Sequence, residues 1–458
     1  MGFSGQVYGF DFHVAVIHMN IKINGIDIYT NNGRITYNFD SQITYIYGNI
    51  GVGKSTLLSL LVYCLGGNLV ETPAIKDQLA SVGLRIELAK RSYTFRREYR
   101  SAHVFIDCGG GVVKRIHKRE VSDFIYRTLG IAPIYYEQKG NGTPNQLTLR
   151  NYLWYSYLKQ SDIDSNFFYL NSGANEFYQT ASMNALASLF GEGNFIDAEQ
   201  RTMISALKKR IAKYENGIGA INYVIDHDFI QYLSQNLKQI EGLGRGDAEW
   251  GALFQHCLSM YTRYVKFVQG YKFLKTQALD FQGKTVEYDK KLNDNLTDLG
   301  DIFKQCLLSV GFPGILKSDK VVFDAQQLRP AIVNEYTGIE YNFDSLGSGG
   351  KKTLFKICFL FSVHIKNHFL HPQDSPLLSL IIIDTPTKNI SEREDKELFN
   401  HLYTYMLEVF RSTLSDTQVI IVDKERNDIL ASSGVAILPF SKESPLFPEF
   451  VDIYGERK

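Results

Sequence analysis

The 458-residue chain predicts an α/β fold whose two halves lie at opposite ends of the sequence, with a helical hairpin inserted between them. Three observations predict it. A glycine-rich turn, Gly48-Asn49-Ile50-Gly51-Val52-Gly53-Lys54-Ser55, follows an apolar strand-like run and opens an apolar helix. A heptad rhythm fills the middle of the chain. Residues 351 to 422 then read as helix, strand, helix, strand, the order that produces parallel strands.

Composition bounds the class. With 49 Lys+Arg against 49 Asp+Glu and 44% hydrophobic residues, the chain is neither disordered nor a generally basic, nucleic-acid-coating protein. The five cysteines, Cys64, Cys108, Cys257, Cys306 and Cys358, form no CxxC pair, which argues against a zinc site or a disulfide framework and fits a reducing cytoplasm. No apolar run approaches the roughly 20 residues of a membrane span, so a cytoplasmic protein without membrane partners is expected. A local basic cluster, Lys114, Arg115, Lys118 and Arg119, reads either as a phosphate contact or as a solvated strand end.

Strand-like pieces at Val14 to Ile17, Ile21 to Ile28, Ile35 to Phe39 and Ile43 to Tyr47 are separated by Asn, Gly and Asp turn signals. A second set, Leu84 to Leu88, Tyr93 to Arg97, Val104 to Cys108 and Val112 to His117, predicts a mostly antiparallel sheet. Residues 1 to 190 therefore read as the first part of one α/β lobe.

From about Asp197 the apolar positions Ile204, Leu207, Ile211, Tyr214, Ile218, Ile221 and Ile225 alternate steps of three and four. After the turn-rich stretch 242 to 247 the rhythm returns, from Leu253 through Cys257, Met260, Tyr264 and Phe267 to Phe281. Two antiparallel coiled-coil helices over residues 191 to 311, with a tip near 242 to 247, are expected; a pair of core helices is the other reading. About 46 residues before the turn would reach roughly 70 Å. Gly217 and Gly219 each weaken the first helix by about 1 kcal/mol relative to Ala and mark a place for a bend.

Beyond Gly311 and Pro313 the pattern returns to strands and loops up to Asn342. A helix from Lys351 to about Asn367, an apolar strand Leu378 to Ile383, a helix Glu392 to Leu414 and a final strand Gln418 to Val422 complete residues 312 to 458.

The turn at 48 to 55 matches G-x-x-x-x-G-K-[ST] in the strand–turn–helix context that the motif requires. Gly48, Asn49, Gly51 and Gly53 let the backbone amides face a triphosphate, and Thr56 continues into the helix, whose N-terminus adds positive potential. Lys54 is expected to reach the β and γ phosphates, and Ser55 to place its hydroxyl on Mg²⁺. A glycine-rich turn with a solvated lysine is the alternative. Asp384 ends the apolar run Leu378 to Ile383; as the acidic partner of such a site it would share the metal, and a structural cap is the other reading.

Leu346-Gly347-Ser348-Gly349-Gly350-Lys351-Lys352-Thr353 opens a helix, with Ser348 placed 36 residues before Asp384. This run resembles the signature motif of ABC-type ATPases, and the order of P-loop, long helices, signature and acidic strand resembles the SMC, RecN and SbcC branch of that superfamily. The resemblance spans nearly the whole chain. It implies an ABC-type P-loop ATPase head, discontinuous in sequence, with an inserted antiparallel coiled-coil hairpin. It further implies ATP and Mg²⁺ as cofactors and a homodimer in which Ser348, Gly349, Gly350 and Lys351 cover the partner's nucleotide. Leu147 to Leu153 followed by Leu158-Lys159-Gln160 is similar to the family's Q-loop segment, so Gln160 would sense Mg²⁺ and the attacking water; an exposed helix-end glutamine is the other reading.

The sequence departs from the family pattern at several points. Thr385 follows Asp384 where the family has a glutamate base, and threonine does not take a water proton at neutral pH. The switch histidine is replaced by Val422-Asp423-Lys424-Glu425, so Asp423 or Glu425 is a substitute base or a structural residue. Hydrolysis is accordingly expected to be slow unless one of them serves. Gly347 and Lys351 are unusual signature residues. The arm is short, with no cysteine hook and no room for a hinge domain. Short-armed ATPases of this type resemble the SMC-like subunit of bacterial anti-phage systems such as Lamassu. That resemblance implies an ATP-driven sensor or clamp on double-stranded DNA that controls an effector nuclease or accessory subunit. A nucleotide-gated protein scaffold with little turnover, or a RecN/SbcC-type repair ATPase, are the alternatives.

Overall fold

The structure is a computed structural model and describes residues 21–137, 144–171, 173–191, 198–224, 248–324, 327–370, 375–390 and 396–447. The expected strand at Val14 to Ile17, the hairpin tip at 242 to 247 and the helix start at Glu392 lie outside the described residues. The chain forms two units, one of residues 1–134, 146–192 and 292–458, the other of residues 135–145 and 193–291.

In the first unit a five-stranded parallel sheet runs in the order Tyr157–Leu158, Leu380–Asp384, Gln418–Asp423, Ile43–Gly48, Ala436–Phe440. Its central strands are continuous apolar runs buried on both faces, as parallel strands covered by helices must be. The register sets Asp384 beside Val422 and Asp423 beside Tyr47, so both carboxylates arrive at the same end of the sheet as the glycine-rich turn. The expected parallel order is present, and two strands extend it that the sequence reading did not include, Tyr157–Leu158 at one edge and Ala436–Phe440 at the other.

A six-stranded antiparallel sheet accompanies it, in the order Gly33–Asn38, Ile21–Thr30, Leu79–Leu88, Arg91–Glu98, His103–Asp107, Val113–His117. Gln418, fully buried, links the two sheets: its side-chain amide donates to the Ile23 and Phe39 carbonyls and accepts from the Ile23 N–H. Three hydrogen bonds satisfy what would otherwise be a costly buried polar group.

Helix Lys54–Cys64 buries Leu57, Leu58, Leu60 and Leu61. Its C-terminal carbonyl at Tyr63 accepts a hydrogen bond from the buried Arg97 guanidinium at 2.8 Å, which also donates to Gly67. Helix Gly349–Leu370 is buried without interruption from Thr353 to Asn367, and Phe355 and Phe359 meet Phe303 edge-on at 4.8 and 5.5 Å. Leu296, Leu299, Phe303, Cys306 and Leu307 are buried, and residues from 292 onward belong to this unit, whereas the expected hairpin bounds of 191 to 311 included them.

The second unit contains helix Ala198–Val224 and the first part of helix Ala248–Ser309. Tyr214 meets Phe267 at 5.5 Å, and a Cβ on Gly270 would come within 2.6 Å of the Tyr214 ring. A Cβ on Gly217 would be 3.5 Å from Phe267. As the first helix advances from 214 to 217 the contacts on the second retreat from 270 to 267, which is antiparallel order. Among the described side chains, Leu207 and Leu274 are buried, while Lys209, Arg210, Lys213 and Glu215 are exposed. The helix continues through Gly217 and Gly219. Among the described residues no helix is long and apolar enough to cross a membrane.

Candidate nucleotide-binding site

The strand Ile43–Gly48 delivers the chain to a turn that only glycine can make. Gly48, Gly51 and Gly53 have φ of 153°, 86° and 96°. At Gly48 a Cβ would stand 1.9 Å from the Phe440 carbonyl oxygen, so the edge strand closes against the start of the turn. At Gly53 a Cβ would meet Leu446 at 2.5 Å. The helix that begins at Lys54 has no side-chain cap, which leaves its first N–H groups facing the turn.

A cavity of about 380 Å³ occupies this end of the sheet, lined by Gly51, Gly53, Lys54, Ser55 and Thr56 and by Gln160, Asp384, Thr385 and Lys424. Residues from four separate parts of the sequence therefore share one wall. Ile50 also lines it while remaining 86% exposed. Gly48 and Asn49 act differently: their carbonyls accept hydrogen bonds from the Lys54 ammonium at 2.6 and 2.7 Å. Burial lowers the Lys54 pKa, opposed by the charges of Asp384 and Asp423.

Asp384 is 3% exposed. Burial raises its pKa, opposed by the hydroxyls of Ser55 and Thr385, the charge of Lys54 and the backbone of Gln160. A buried carboxylate beside two hydroxyls and one ammonium is a polar centre that a bound cation would further stabilise. Gln160 follows the short strand that pairs with Leu380–Asp384, which is how an exposed glutamine reaches the cavity.

Thr385 has φ of 63°, an unusual conformation for a β-branched residue. Its N–H donates to the Val422 carbonyl at 2.7 Å and its hydroxyl to Asp384 at 3.1 Å, so two bonds hold it there. The chain then turns through residues 385 to 390. In that turn Lys388 donates to the Gln160 carbonyl and to the Asp164 carboxylate, both at 2.8 Å, and Asn389 donates to the other Asp164 oxygen at 2.6 Å. Sequence reasoning missed Lys388, Asn389 and Asp164. The run Thr-Pro-Thr-Lys-Asn after an apolar strand is the turn signal from which their role is legible.

The same turn meets the helix that carries the signature-like run. Ser348 is exposed and caps that helix, its hydroxyl accepting the Lys351 N–H at 3.2 Å. A Cβ on Gly350 would lie 2.7 Å from the Asn389 carbonyl, and the Thr353 hydroxyl donates to the Lys388 carbonyl at 3.1 Å. Ser348, Gly349, Gly350 and Lys351 are not among the residues lining the chain's own cavity.

Asp423 ends its strand buried, and its carboxylate accepts hydrogen bonds from the hydroxyls of Tyr403 and Thr387 and from the Lys424 N–H. Burial raises its pKa, and those bonds oppose the rise. Glu425 is exposed, and its carbonyl accepts from the Tyr45 hydroxyl at 2.5 Å. Lys424 lines the cavity, whereas Asp423 and Glu425 do not.

A family model described as an AAA domain matches residues 20–249, half of the chain. Comparison with solved structures finds the Smc head domain with an extended coiled coil, bound to the C-terminal domain of ScpA, from Pyrococcus furiosus. It is 12% identical, with a TM-score of 0.55 over 96% of this chain and 100% of that one. The recombination mediator RecF with ATP aligns at 11% identity and a TM-score of 0.41, over 93% of this chain and 98% of that one. The comparison with curated proteins returns no match. A glycine turn, a lysine, a hydroxyl and a buried aspartate at one end of a parallel sheet, within a fold shared with the Smc head, place this chain in the AAA domain family of P-loop ATPases.

Proposed function

We propose that this protein is an ABC-type ATPase that binds ATP with Mg²⁺ in the cavity at Lys54 and Ser55, and that two copies close over two nucleotides. The observation that carries the reading is Asp384, buried at the cavity wall between the Ser55 hydroxyl and the charge of Lys54. One hydroxyl and one carboxylate suit a hard cation that keeps substrate oxygens and water for its remaining positions. Among the described residues no cluster of three His, Cys, Asp or Glu offers a softer or fuller metal cage. The ion, when bound, would neutralise charge on the phosphates. Lys54 would orient the β and γ phosphates, Ser55 and Asp384 would hold the ion, and Gln160 would report on it.

Exposure of Ser348 and its place outside the chain's own cavity support action in trans. A helix N-terminus flanked by Gly349 and Gly350 approaches an anion closely. Lys388 and Asn389 join that helix to the Gln160–Asp164 segment, so nucleotide at Lys54 and contact at Ser348 would be felt by one turn.

The finer reading is a sensor or clamp on double-stranded DNA that controls an effector nuclease in anti-phage defence. Its support is the short helical pair and the resemblance of the motifs to SMC-like defence ATPases. The Smc head in the matching structure is bound to the C-terminal domain of ScpA, which makes an accessory subunit a reasonable partner for this head as well. Thr385 and the inward-turned Asp423 favour a second reading, a nucleotide-gated scaffold with slow turnover. ATP turnover of the wild type and Lys54→Ala, with and without double-stranded DNA, separates the two. Turnover that depends on Lys54 and rises with DNA supports the sensor; turnover indifferent to DNA supports the scaffold; turnover equal in Lys54→Ala removes the nucleotide site altogether.

A further inference from the structure

A second cavity, of about 600 Å³, lies in the first unit behind the glycine-rich turn, beyond the C-terminal end of helix Lys54–Cys64. Its wall carries five basic side chains, Lys118, Arg119, Arg150, Lys159 and Lys356, against a single carboxylate, Asp162. Among the described residues Lys118, Arg119, Arg150 and Lys159 form no ion pair with a carboxylate. Burial and the charges of Arg97, Arg119 and Arg150 lower the pKa of Lys118, whose ammonium donates to the neutral Asn68 side chain at 2.9 Å. Folding has gathered like charges in a concave place with one carboxylate against them, and such an excess of positive charge attracts anions.

Lys356 shows that the site is built. It is 4% exposed on a helix buried without interruption, and its ammonium donates to the Asp162 carbonyl at 2.8 Å and to the Asn166 carbonyl at 2.5 Å. Its charge also lies 5.0 Å from the Phe168 ring centroid. Trp154, Tyr157 and Tyr169 supply an aromatic side to the same cavity, with Trp154 and Tyr169 at 4.6 Å between ring centroids. All three rings are half-buried, and cations beside aromatic rings that line a cavity form the combination that holds a phosphate and a base together. Two of the four basic residues that stand out in the sequence, Lys118 and Arg119, belong to this wall. The other two, Lys114 and Arg115, lie on the edge strand and face Phe124 and His103.

We propose that this cavity is a second anion site that takes a phosphorylated nucleotide, either free or as the terminal nucleotide of a strand. The phosphate would sit among Lys118, Arg119 and Arg150, and the base against Trp154. The site is distinct from the one at Lys54 and stands or falls independently of it.

The chain has two tryptophans, so Trp250→Phe leaves Trp154 as the only indole reporter, and Lys54→Ala in the same chain silences the first site. Fluorescence of that variant is titrated with deoxyadenosine monophosphate, with deoxyadenosine, and with 5′-phosphorylated and unphosphorylated oligothymidylate. Saturable quenching by a phosphorylated probe, absent with its unphosphorylated counterpart and weakened roughly tenfold or more by Arg119→Glu with Arg150→Glu, is the expected result. Saturation by the mononucleotide identifies a free ligand; saturation by the oligonucleotide alone identifies a strand end. Lys159→Gln provides a milder variant should the double reversal fail to fold. No quenching at millimolar probe, or affinity unchanged in the charge variants, overturns the proposal.

Discussion

A Cβ on Gly349 would stand 2.5 Å from the side-chain nitrogen of Asn389, so the helix that begins with the signature-like run is packed directly on the turn that follows Asp384. Asn389 in turn donates to Asp164, four residues beyond Gln160. A methyl group at position 349 has to displace that amide and break its bond to Asp164. Gly349→Ala is expected to lower ATP turnover by about tenfold or more while leaving ATP affinity within roughly threefold, the pattern of an interaction lost after binding. Steady-state turnover and equilibrium nucleotide binding on the same variant check it.

The two glycines that open and centre the phosphate turn are constrained for different reasons. Gly48 is closed in by the Phe440 carbonyl, whereas nothing lies within 4 Å of a Cβ on Gly51. Gly48→Ala is expected to destabilise the head by more than about 3 kcal/mol, because two backbones must separate. Gly51→Ala is expected to cost only about 1–2 kcal/mol, the penalty of a left-handed φ. Urea denaturation of both variants provides the comparison, and equal losses would contradict the tight approach of the edge strand.

Lys356 makes stability depend on pH. Burial lowers its pKa to about 7, with Asp162 and Asp164 opposing the shift. Between that value and the ordinary lysine value the unfolded chain holds a proton that the folded chain has released. Stability attributable to this group therefore rises with pH across the window from about 7 to 10.5, by at most ~1.4 kcal/mol per pH unit. The cost of the buried charge is fully present below pH 7. Lys356→Met removes the dependence, so the stability difference between the two proteins should change steadily across that window and be flat beneath it.

Asp423 holds the Tyr403 and Thr387 hydroxyls in the buried layer beneath the cavity. Asp423→Asn removes the charge from those bonds and is expected to cost about 1–3 kcal/mol of stability. Glu425→Gln, on an exposed side chain outside the cavity lining, is expected to leave turnover within roughly twofold. A large loss of turnover in Glu425→Gln, with stability unchanged, would identify Glu425 as the base.

The sequence made the central layer of the site legible because each part carries a strong local signal. The glycine turn sits between a strand and a helix, and Asp384 ends a run of isoleucines that only a buried strand explains. What stayed hidden depends on packing between distant segments. The strand Ala436–Phe440 contains Pro439, which argues against a strand until the topology shows it to be an edge, where a missing N–H is tolerated. The second cavity draws its cations from four separate segments, and only Lys118 and Arg119 are neighbours in sequence. In sequence Asp423 stays open between a substitute base and a structural residue, because nothing local announces that Tyr403, twenty residues earlier, will donate to it. Gly217 reads as a weak point in its helix, yet it faces Phe267, where a small residue lets the ring approach.

In the proposed function two copies share the nucleotide, and a cross-link reads that directly. Ile50 is 86% exposed at the rim of the cavity and Ser348 is exposed at the head of its helix. Two variants, Ile50→Cys and Ser348→Cys, are mixed with a short bifunctional maleimide and compared with the parent chain. A covalent dimer that joins one variant to the other, forming with a non-hydrolysable ATP analogue and Mg²⁺ but not without nucleotide, is the predicted result. Chains that stay uncoupled while the analogue demonstrably occupies the Lys54 site would contradict it.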